Sequence, residues 1–599
     1  MAISETDDRA APRAPRGAVL RWRRPTPWIV FALVVVAVLL AAAATWIGVR
    51  AVLAKDALDR AQALVSELRS SISSDPTSAP ALATRIVAET RTARDLTSDP
   101  IWAAGEAVPF VGANLAVVRE LAGTVDEVAT GAIAPLAGVV AALDPSALRP
   151  VDGRIDLAPI AAAAGPAAEA DDAVTAARER LRALDSEGVI GQVRDARNQL
   201  LGLLDEAAPL TGAARTLTEL APSMLGADGP RDYLLMFQNN AEARSLGGNP
   251  AAFVLLHVDQ GAIGIAAEAS SLDFPRDGEP PLELDPNLYS VYYADFSRYV
   301  MDITTRPDFP TAASLAKAYW ERRFGGTVDG VVSMDPVALS YLLRATGPVP
   351  LATGDELTAD NAVALLLSEV YARYTDPAVQ DAFFASAASA VFGAVTTGAF
   401  DPAVALPELT RAVDERRLLL WSADSKEQAI IATTPLSGIL PTMNDDETAV
   451  GVFFMDQSSS KMDYYLGTSV TASSDQCEAD APTFEVGASL TSKLTQEQAD
   501  ALPAYVTSTW WGSEKFVTDV YLVGPVGATF AGVAGDGTVV SSGTDLGRPV
   551  VRVQIELRPG ETKSVNGTFA APAGDFGPLA VIGTPMVVPT TVTTSTPGC

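Results

Sequence analysis

Residues 231–250 read RDYLLMFQNNAEARSLGGNP, and this stretch says more about the fold than any other part of the chain. A short apolar run at 233–237 ends abruptly in polar and small residues. This pattern predicts a buried strand that delivers polar side chains to a loop at its carboxyl end. In open α/β sheets, ligands bind at that end of the strands. The stretch therefore predicts a site at the edge of a sheet.

The residues that follow the apolar run are the candidates for ligand contact. They are Gln238, Asn239, Asn240, Glu242 and Arg244, followed by Gly247 and Gly248. The two glycines would let a ligand approach the backbone closely, because glycine has no side chain. The alternative is that Asn239 and Asn240 brace a loop through side-chain hydrogen bonds to the backbone.

Strands alternate with helices between residues 230 and 440. The apolar run 328–334 leads directly into a helical pattern, with Asp335 at the N-cap and Pro336 at the first helical position. Gln260 and Gly261 separate two apolar runs and predict a hairpin. This alternation predicts an α/β sandwich with a mixed sheet.

The pattern changes at residue 441. From there to residue 599, short β-rich runs are separated by Gly, Ser, Asp and Pro. The dipeptide Asp536-Gly537 predicts a hairpin turn. The region therefore reads as a β-sandwich-like domain.

An uncharged apolar run of 22 residues at 28–49 is long enough to cross a bilayer as a helix. Six arginines and three acidic residues precede it, so the positive-inside rule places the tail 1–27 in the cytoplasm. No later stretch is expected to span, which leaves the bulk of the chain extracytoplasmic. The alternative is a cleaved signal peptide, with the cleavage region at 41–44.

Residues 50–225 carry helical periodicity, as in Ala61, Leu64 and Leu68. Breaks are expected at Asp75-Pro76, Asp99-Pro100 and Asp144-Pro145. This part predicts an antiparallel helical bundle that holds the rest off the membrane. The fold class is thus a multidomain α/β (α+β) protein, with an anchor, a helical stalk, an α/β sandwich and a β-rich domain.

Composition excludes several functions. The 599 residues include 43 Lys and Arg against 73 Asp and Glu, a net charge of −30, which makes nucleic acid an unsuitable partner. A single histidine, His257, rules out multi-histidine metal sites, and its apolar neighbours predict a core residue rather than a ligand. Cys477 and Cys599 could form one disulfide in an oxidising compartment, or remain two free thiols.

Two segments carry a family resemblance. DYLLMFQNNAEARSLGG and VDGVVSMDPVALSYLLRATGPVPL (328–351) resemble the hallmarks of an envelope protein family of high-GC Gram-positive bacteria, domain of unknown function 4012. Members of that family typically read PTGGF where this chain reads SLGGNP. The resemblance, with the anchor, stalk and β-rich tail, covers most of the chain and implies an envelope role.

A more distant similarity is to the LytR–CpsA–Psr family of glycopolymer ligases. It implies arginines and a magnesium ion around a polyprenyl diphosphate. In this chain, Arg244 with Glu242, and Arg373 with Asp376, would take the catalytic positions. The later Arg-x-x-Arg of the ligases is missing, since this chain reads Pro-Ala-Val-Gln-Asp at 377–381.

Two functions follow from these observations. The first is a single-pass, membrane-anchored envelope protein that binds a cell-wall or exopolysaccharide glycopolymer, or partner proteins. The alternative is a magnesium-dependent phosphotransferase or ligase that acts on polyprenyl-diphosphate-linked glycans. Whether the protein is an enzyme stays open at this point.

Overall fold

A computed structural model of the chain describes residues 27–142, 149–151, 153–293, 295–507 and 515–599. The arginines of the predicted cytoplasmic tail and the predicted break at Asp144-Pro145 lie outside these ranges. The chain divides into two compact units. The first comprises residues 1–138 and 169–208, and the second comprises 139–168 and 209–599.

The first unit is helical, as the sequence predicts. Its helices are α1 (Pro27–Ser74), α2 (Ala79–Thr97), α3 (Pro100–Gly105), α4 (Gly112–Val128) and α5 (Ala134–Ala142), with a π-helical turn (Ala129–Ile133) before α5 and with parts of α6 (Leu157–Ala183) and α7 (Gly191–Met224). The predicted breaks at Asp75-Pro76 and Asp99-Pro100 both separate helices, and Asp99 caps α3 by accepting from the backbone N–H of Ile101.

Helix α2 runs antiparallel to α1 and to α4. Arg60 of α1 pairs with Glu89 of α2 at 2.8 Å, and Arg50, earlier in α1, pairs with Asp99, just after α2, at 2.9 Å. Between them, Ala54 and Ala57 pack with Ala93 of α2 and Ala122 of α4. Small side chains let these three helices approach closely at this level.

Two helices in the described ranges are long and apolar enough to cross a membrane. Trp28–Ser71 has a mean hydropathy of 2.7 over its most apolar 18 residues, and none of these residues is buried. Gly112–Ala141 has a mean hydropathy of 1.3, with 28% of its window buried. The expectation that no stretch after α1 is apolar enough was therefore wrong. Alanine, valine and leucine raise the hydropathy of this second helix, whose Leu121 and Val117 lie in the bundle core.

The second unit contains a five-stranded mixed sheet in the order β3-β2-β1-β4-β7. Its strands are β1 (Arg231–Arg244), β2 (Gly247–Asp259), β3 (Ala262–Ser270), β4 (Gly330–Met334) and, after the short pair β5 (Val349–Pro350) and β6 (Glu356–Leu357), β7 (Leu418–Ser422). β1 is parallel to β4 and antiparallel to β2. The predicted α/β sandwich with a mixed sheet is confirmed.

Helices lie between and after these strands in the chain. They are α8 (Pro286–Val291), α9 (Phe309–Phe324), α10 (Pro336–Thr346), α11 (Ala362–Ala364), α12 (Val370–Arg373), α13 (Pro377–Thr396), α14 (Pro402–Asp414) and α15 (Ser425–Ile431). A π-helical turn (Leu365–Glu369) joins α11 to α12. Asp335 caps α10 as predicted, accepting from the backbone N–H of Ala338 at 2.7 Å.

The remaining strands form two five-stranded sheets, confirming a sandwich. One has the order β12-β15-β10-β9-β17 and the other β13-β14-β11-β8-β16. The strands are β8 (Thr448–Asp456), β9 (Leu466–Ser474), β10 (Thr483–Ser492), β11 (Phe516–Val523), β12 (Thr529–Gly535), β13 (Thr538–Asp545), β14 (Arg548–Leu557), β15 (Thr562–Ala570), β16 (Leu579–Gly583) and β17 (Thr591–Ser595), with one short helix, α16 (Gln496–Ala501).

The α/β part and the sandwich share a core. Every residue of β8 and β11 is buried. Phe454 packs into the sandwich, while its neighbour Phe453 packs with the helices and strands of the α/β part, because successive side chains of a strand point to opposite faces. The predicted boundary at 440/441 therefore separates two kinds of secondary structure within one compact unit.

Of three local predictions, the structure confirms one and contradicts two. Gln260 and Gly261 form the turn of the β2–β3 hairpin as expected. Asp536-Gly537 joins β12 and β13, which belong to different sheets, so the predicted hairpin was wrong. His257 is not a core residue, since its side chain is 51% exposed on β2 and contacts Asp232 at 2.7 Å. Its strand lies near the edge of the sheet, where an apolar neighbourhood in sequence does not imply burial.

Candidate functional site

The strand predicted at 233–237 does not end there. β1 continues through the polar residues to Arg244, turns over two residues and returns as β2 from Gly247. Bulges after Phe237 and Asn239 adjust the pairing of β1 with β2. A Cβ on Gly248 would lie 2.2 Å from the backbone oxygen of Asn239, so glycine permits the close approach of the two strands. The residues predicted to form a loop are therefore the end of a β-hairpin.

Most of the polar side chains on this hairpin bond to the protein itself. Gln238 donates to Ser333 Oγ at 2.5 Å and accepts from the N–H of Gly248 at 2.7 Å. Asn240 donates to Asp335 Oδ2 at 2.8 Å, and Arg417 donates to the same carboxylate at 2.7 Å. Gln238 and Asn240 thus tie β1 to β4 and to the first turn of α10.

Arg244 lies in a buried cluster of charges between β1 and the sandwich. The members, called here the buried charge cluster, are Glu242, Arg244, Asp302, Asp456, Lys461 and Asp463. Arg244 pairs with Asp302 at 2.9 Å and with Glu242 at 3.2 Å, and its side chain is only 5% exposed. Lys461 pairs with the second oxygen of Glu242 at 2.9 Å.

The charges of this cluster hold its members in different protonation states. Burial opposes ionisation of Glu242, but Lys461 and Arg244 outweigh it and lower its pKa to about 2. Burial raises the pKa of Asp456 to about 6. Burial, together with the neighbouring Asp456, also raises the pKa of Asp463 well above its usual range. The cluster therefore joins charged ion pairs to carboxyl groups that hold protons more tightly than in water.

A pH dependence of stability follows from these shifts. A carboxyl whose pKa is raised in the folded state stabilises the fold at low pH, and this stabilisation is lost as the pH rises through the folded pKa. Between pH 5 and pH 8 we expect the free energy of unfolding of the second unit to fall by about 1–3 kcal/mol, because Asp456 and Asp463 must ionise in a buried place. Chemical denaturation at several pH values measures this change.

At acidic pH the dependence of stability on pH has the opposite sign. Glu242 has a lowered pKa, so its stabilisation is present above about pH 4.5 and is lost as the pH falls towards 2. Asp456→Asn should reduce the loss between pH 5 and pH 8 to the part that Asp463 contributes, and leave the acidic loss in place. Equal stability at pH 5 and pH 8 in the unaltered protein would contradict the assignment.

Arg373 and Asp376 lie in a different environment from Arg244. Arg373 pairs with Asp355 and with Glu369, each at 2.7 Å, and its side chain is 40% exposed. These partners differ from Glu242 and Asp302, which pair with Arg244. The two arginines predicted to surround one diphosphate are therefore each engaged with their own carboxylates.

A cavity of about 730 Å³ opens beside the β1–β2 hairpin. It lies against β1, β2 and β3 and is covered by residues of α10, the π-helical turn and α13. Most of its lining is apolar, including Phe237, Phe253, Leu339 and Ala387. Its polar lining consists of Gln238, Asn239, Glu268, Ser270, Asp273, Tyr371 and Asp376. This cavity has the size and the apolar character of a small-molecule site.

The cavity brings together three of the predicted site residues: Gln238, Asn239 and Asp376. Asn240, Glu242, Arg244, Gly247, Gly248 and Arg373 do not line it. Tyr371 was not predicted, although it lines the cavity and accepts from Asn239 Nδ2 at 2.7 Å. The sequence did contain a signal for Tyr371. Residues two apart on a helix point to different sides, so if Arg373 faces solvent, Tyr371 is expected to face the protein interior.

The resemblance to the ligases implies a magnesium ion, and the described residues offer no preassembled cluster of ligating side chains for it. Magnesium requires several oxygen ligands in near-octahedral geometry. Within the described ranges no group of three or more His, Cys, Asp or Glu side chains is placed to hold a metal. The buried charge cluster instead neutralises its carboxylates with Arg244 and Lys461.

Cys477 and Cys599 form a disulfide, with Cα atoms 5.3 Å apart. The bridge joins the segment after β9 to the residues that follow β17, two strands that already pair in parallel. Of the two alternatives open from the sequence, the structure contains the disulfide.

Residues 228–371 match the family described as Protein of unknown function (DUF4012). The matched stretch runs from the start of β1 to α12 and so contains the hairpin and much of the cavity wall. No curated protein matches the chain. The family resemblance read from the sequence is confirmed for these residues, whereas the comparisons give no support to a similarity with the LytR–CpsA–Psr ligases.

Proposed function

We propose that this protein is a membrane-anchored protein of the cell envelope that binds a glycolipid or another lipid-linked glycan in the cavity beside β1. The observation that carries the proposal is the cavity itself, with its apolar walls and its few amide, hydroxyl and carboxylate groups. A lipid-linked glycan suits this cavity better than a free glycopolymer does, because contact with apolar walls does not stabilise a fully hydroxylated chain.

The N-terminal part of α1 supports the anchor. Its residues 28–49 carry no charge and expose large apolar side chains, among them Phe31 and Leu39. Such exposure is unfavourable in water and favourable in a bilayer. The disulfide supports an extracytoplasmic position for the second unit, since disulfides persist in oxidising compartments. The arginines before the run support a cytoplasmic N-terminus.

The cavity walls favour an alkyl or isoprenoid chain. Sites that enclose small ligands measure roughly 300–1,000 Å³ and are lined mainly by apolar side chains. The walls contributed by Phe237, Phe253 and Leu339 are of this kind. Apolar contact is not directional, so these walls select for an apolar chain more than for its exact branching.

The polar lining favours a sugar over a diphosphate. The carboxylates of Glu268 and Asp273 accept hydrogen bonds from hydroxyls. The amide oxygens of Gln238 and Asn239 each accept one backbone N–H and keep a second lone pair for a hydroxyl. None of the described lining residues is Arg, Lys or His. A diphosphate would meet carboxylates without a compensating cation, which is electrostatically unfavourable.

The ligase alternative is less well supported. Arg244 is buried and bonded to Asp302 and Glu242, so binding a phosphate would require breaking these ion pairs. Leaving buried Asp302 without its arginine, and Glu242 with Lys461 alone, is costly. Binding without bond cleavage is thus the function that the geometry supports better.

Filling the cavity tests the proposal. Ala387 lies on α13, is 2% exposed and lines the cavity. We expect Ala387→Trp to weaken binding of a pyrene-labelled hexadecyl glucoside by at least about tenfold, because the indole occupies the space that the chain would take. The fluorescence of the full-length protein in a zwitterionic detergent, titrated with this probe, measures the affinity.

Val379→Trp is the matched control. It places the same side chain on the same helix at a position that is 43% exposed and outside the cavity. We expect wild-type affinity from it, and a native far-ultraviolet circular dichroism spectrum from both variants, which shows that lost binding in Ala387→Trp is not unfolding. Failure of the unaltered protein to bind the probe, or equal affinities in all three proteins, would overturn the proposal.

A further inference from the structure

The first compact unit exposes large apolar side chains at one of its ends. Phe110 is 97% exposed, and Ile101, Val108 and Val111 are each at least 41% exposed. All four lie in the segment that connects α2 to α4 through α3. Because soluble surfaces seldom gather large apolar side chains in one place, the grouping points to a contact.

A fifth exposed apolar residue lies at the same end. The backbone N–H of Ile190, in the turn between α6 and α7, donates to Asn114 Oδ1 at 2.8 Å. Asn114 follows Phe110 closely in the chain and donates to its carbonyl at 3.3 Å. Ile190 is 56% exposed. We name Ile101, Val108, Phe110, Val111 and Ile190 the proximal apolar surface.

The fold presents this surface in a fixed shape. Gly112 N–H donates to the carbonyl of Val108 at 2.8 Å and closes the turn. Phe110 has a φ of 67°, a left-handed conformation that is unfavourable for a bulky residue. Beneath the turn, Trp102 is fully buried and donates to the carbonyl of Leu115 at 3.0 Å. A strained, almost fully exposed phenylalanine on a rigid support is the pattern expected of a functional contact.

Contacts with α1 locate the surface along the anchor. A Cβ on Gly105 would lie 2.8 Å from Ile47 Cδ1, so α3 touches α1 at Ile47. One turn further on, Arg50 pairs with Asp99 at 2.9 Å and donates to the carbonyl of Leu96 at 2.9 Å. The segment 100–111 is therefore held beside the last turn of the apolar run 28–49.

The length of α1 up to this position indicates how deep the position lies relative to the membrane. Trp28 and Ile47 are separated by about 28 Å along a helix that rises 1.5 Å per residue, close to the thickness of the hydrocarbon core of roughly 30 Å. Trp46, beside Ile47, is of the residue type that favours the membrane interface. Helix α2 runs towards this level and α4 runs away from it, so their connection is the part of the bundle nearest the bilayer.

We propose that the proximal apolar surface inserts into the outer interfacial layer of the membrane that α1 crosses. Phe110 and its neighbours would rest among the headgroups and upper acyl chains and fix the first unit against the bilayer. The inference rests on the anchor in the proposed function. The attraction is apolar: the chain carries a net charge of −30, and Glu106 at the edge of the segment is neutralised by Arg119 at 2.9 Å. Anionic lipids are therefore not required.

Site-directed fluorescence tests the insertion. The full-length protein is reconstituted in phosphatidylcholine vesicles with a single nitrobenzoxadiazole label on Leu39→Cys, Phe110→Cys or Val65→Cys. Both native cysteines are joined in the disulfide and do not react with the label. Leu39 reports on the anchor, and Val65, 40% exposed and about 27 Å beyond Ile47 along α1, reports on the aqueous side.

We expect the Phe110 label to emit at shorter wavelength than the Val65 label, to be quenched by lipids that carry a shallow doxyl group, and to be about fivefold less accessible to iodide. If the Leu39 label reports a bilayer but the Phe110 label behaves like the Val65 label, the insertion is wrong and the anchor stands. If the Leu39 label is itself aqueous, the anchor fails and the insertion with it. Substitution of the exposed Phe110 does not disturb a core contact, so folding is preserved.

Discussion

Replacing Arg244 with methionine should lower the free energy of unfolding of the second compact unit by about 3–5 kcal/mol. The methionine keeps the packing volume of the aliphatic stem but leaves Asp302 and Glu242 without their shared cation in a buried place. Guanidinium denaturation, followed by the near-ultraviolet signal of the second unit, measures the change. The effect is large because buried Asp302 loses its arginine and Glu242 keeps only Lys461.

Arg373→Met is the matched control for this prediction. Arg373 also pairs with two carboxylates, Asp355 and Glu369, but its side chain is 40% exposed. Exposed ion pairs contribute little, so we expect a loss within about 1 kcal/mol. Similar losses in the two variants would contradict the structural role of Arg244. A near-normal stability of Arg244→Met would instead restore it as a candidate for ligand binding.

Removing the disulfide should have the second large effect. Cys477 and Cys599 are 122 residues apart in sequence, and a bridge that closes a loop of this length restricts the unfolded chain by about 3–5 kcal/mol in the chain-entropy account. β17 is an edge strand whose five residues are all exposed, so without the bridge its pairing with β9 is the main contact that holds it. Cys599→Ser should therefore lower the stability of the sandwich and increase hydrogen exchange in β9 and β17.

Reduction provides the control for the disulfide. The unaltered protein in dithiothreitol should reproduce both the lower stability and the faster exchange of Cys599→Ser, while the variant should not respond to dithiothreitol. If reduction changes neither quantity, the bridge does not stabilise the sandwich. If exchange increases throughout the second unit and not in β9 and β17 first, β17 is not an independently released strand.

The sequence predicts the elements of this fold better than their connections. Apolar periodicity locates the helices of the first unit, and Asp335 with Pro336 marks the start of α10. The hairpin prediction at Asp536-Gly537 failed because a turn dipeptide specifies a local reversal, whereas the choice of sheet depends on distant partners. β12 pairs with β15 and β13 with β14, and neither pairing has a local signal.

The candidate site shows the same limit. Polar residues after an apolar run predicted a ligand loop, but long-range partners decide what those residues do. Arg244 meets Asp302, and Asn240 meets Asp335, across separations that no local pattern encodes. The cavity depends on α13 closing over β1–β3, so only Gln238, Asn239 and Asp376 among the predicted residues reach it. The apolar character of the site was not predicted, because the apolar residue types that line a cavity are the same as those that fill a core.

Native mass spectrometry gives the most direct measurement of the central claim, that the cavity beside β1 holds an amphiphile. The full-length protein, extracted from membranes supplied with hexadecyl glucoside, should carry one such molecule per chain. Val379→Trp should carry it as well, and Ala387→Trp should not, because its indole fills the space at residue 387. An unaltered protein that carries none, or an Ala387→Trp variant that carries as much as the other two, would contradict the account.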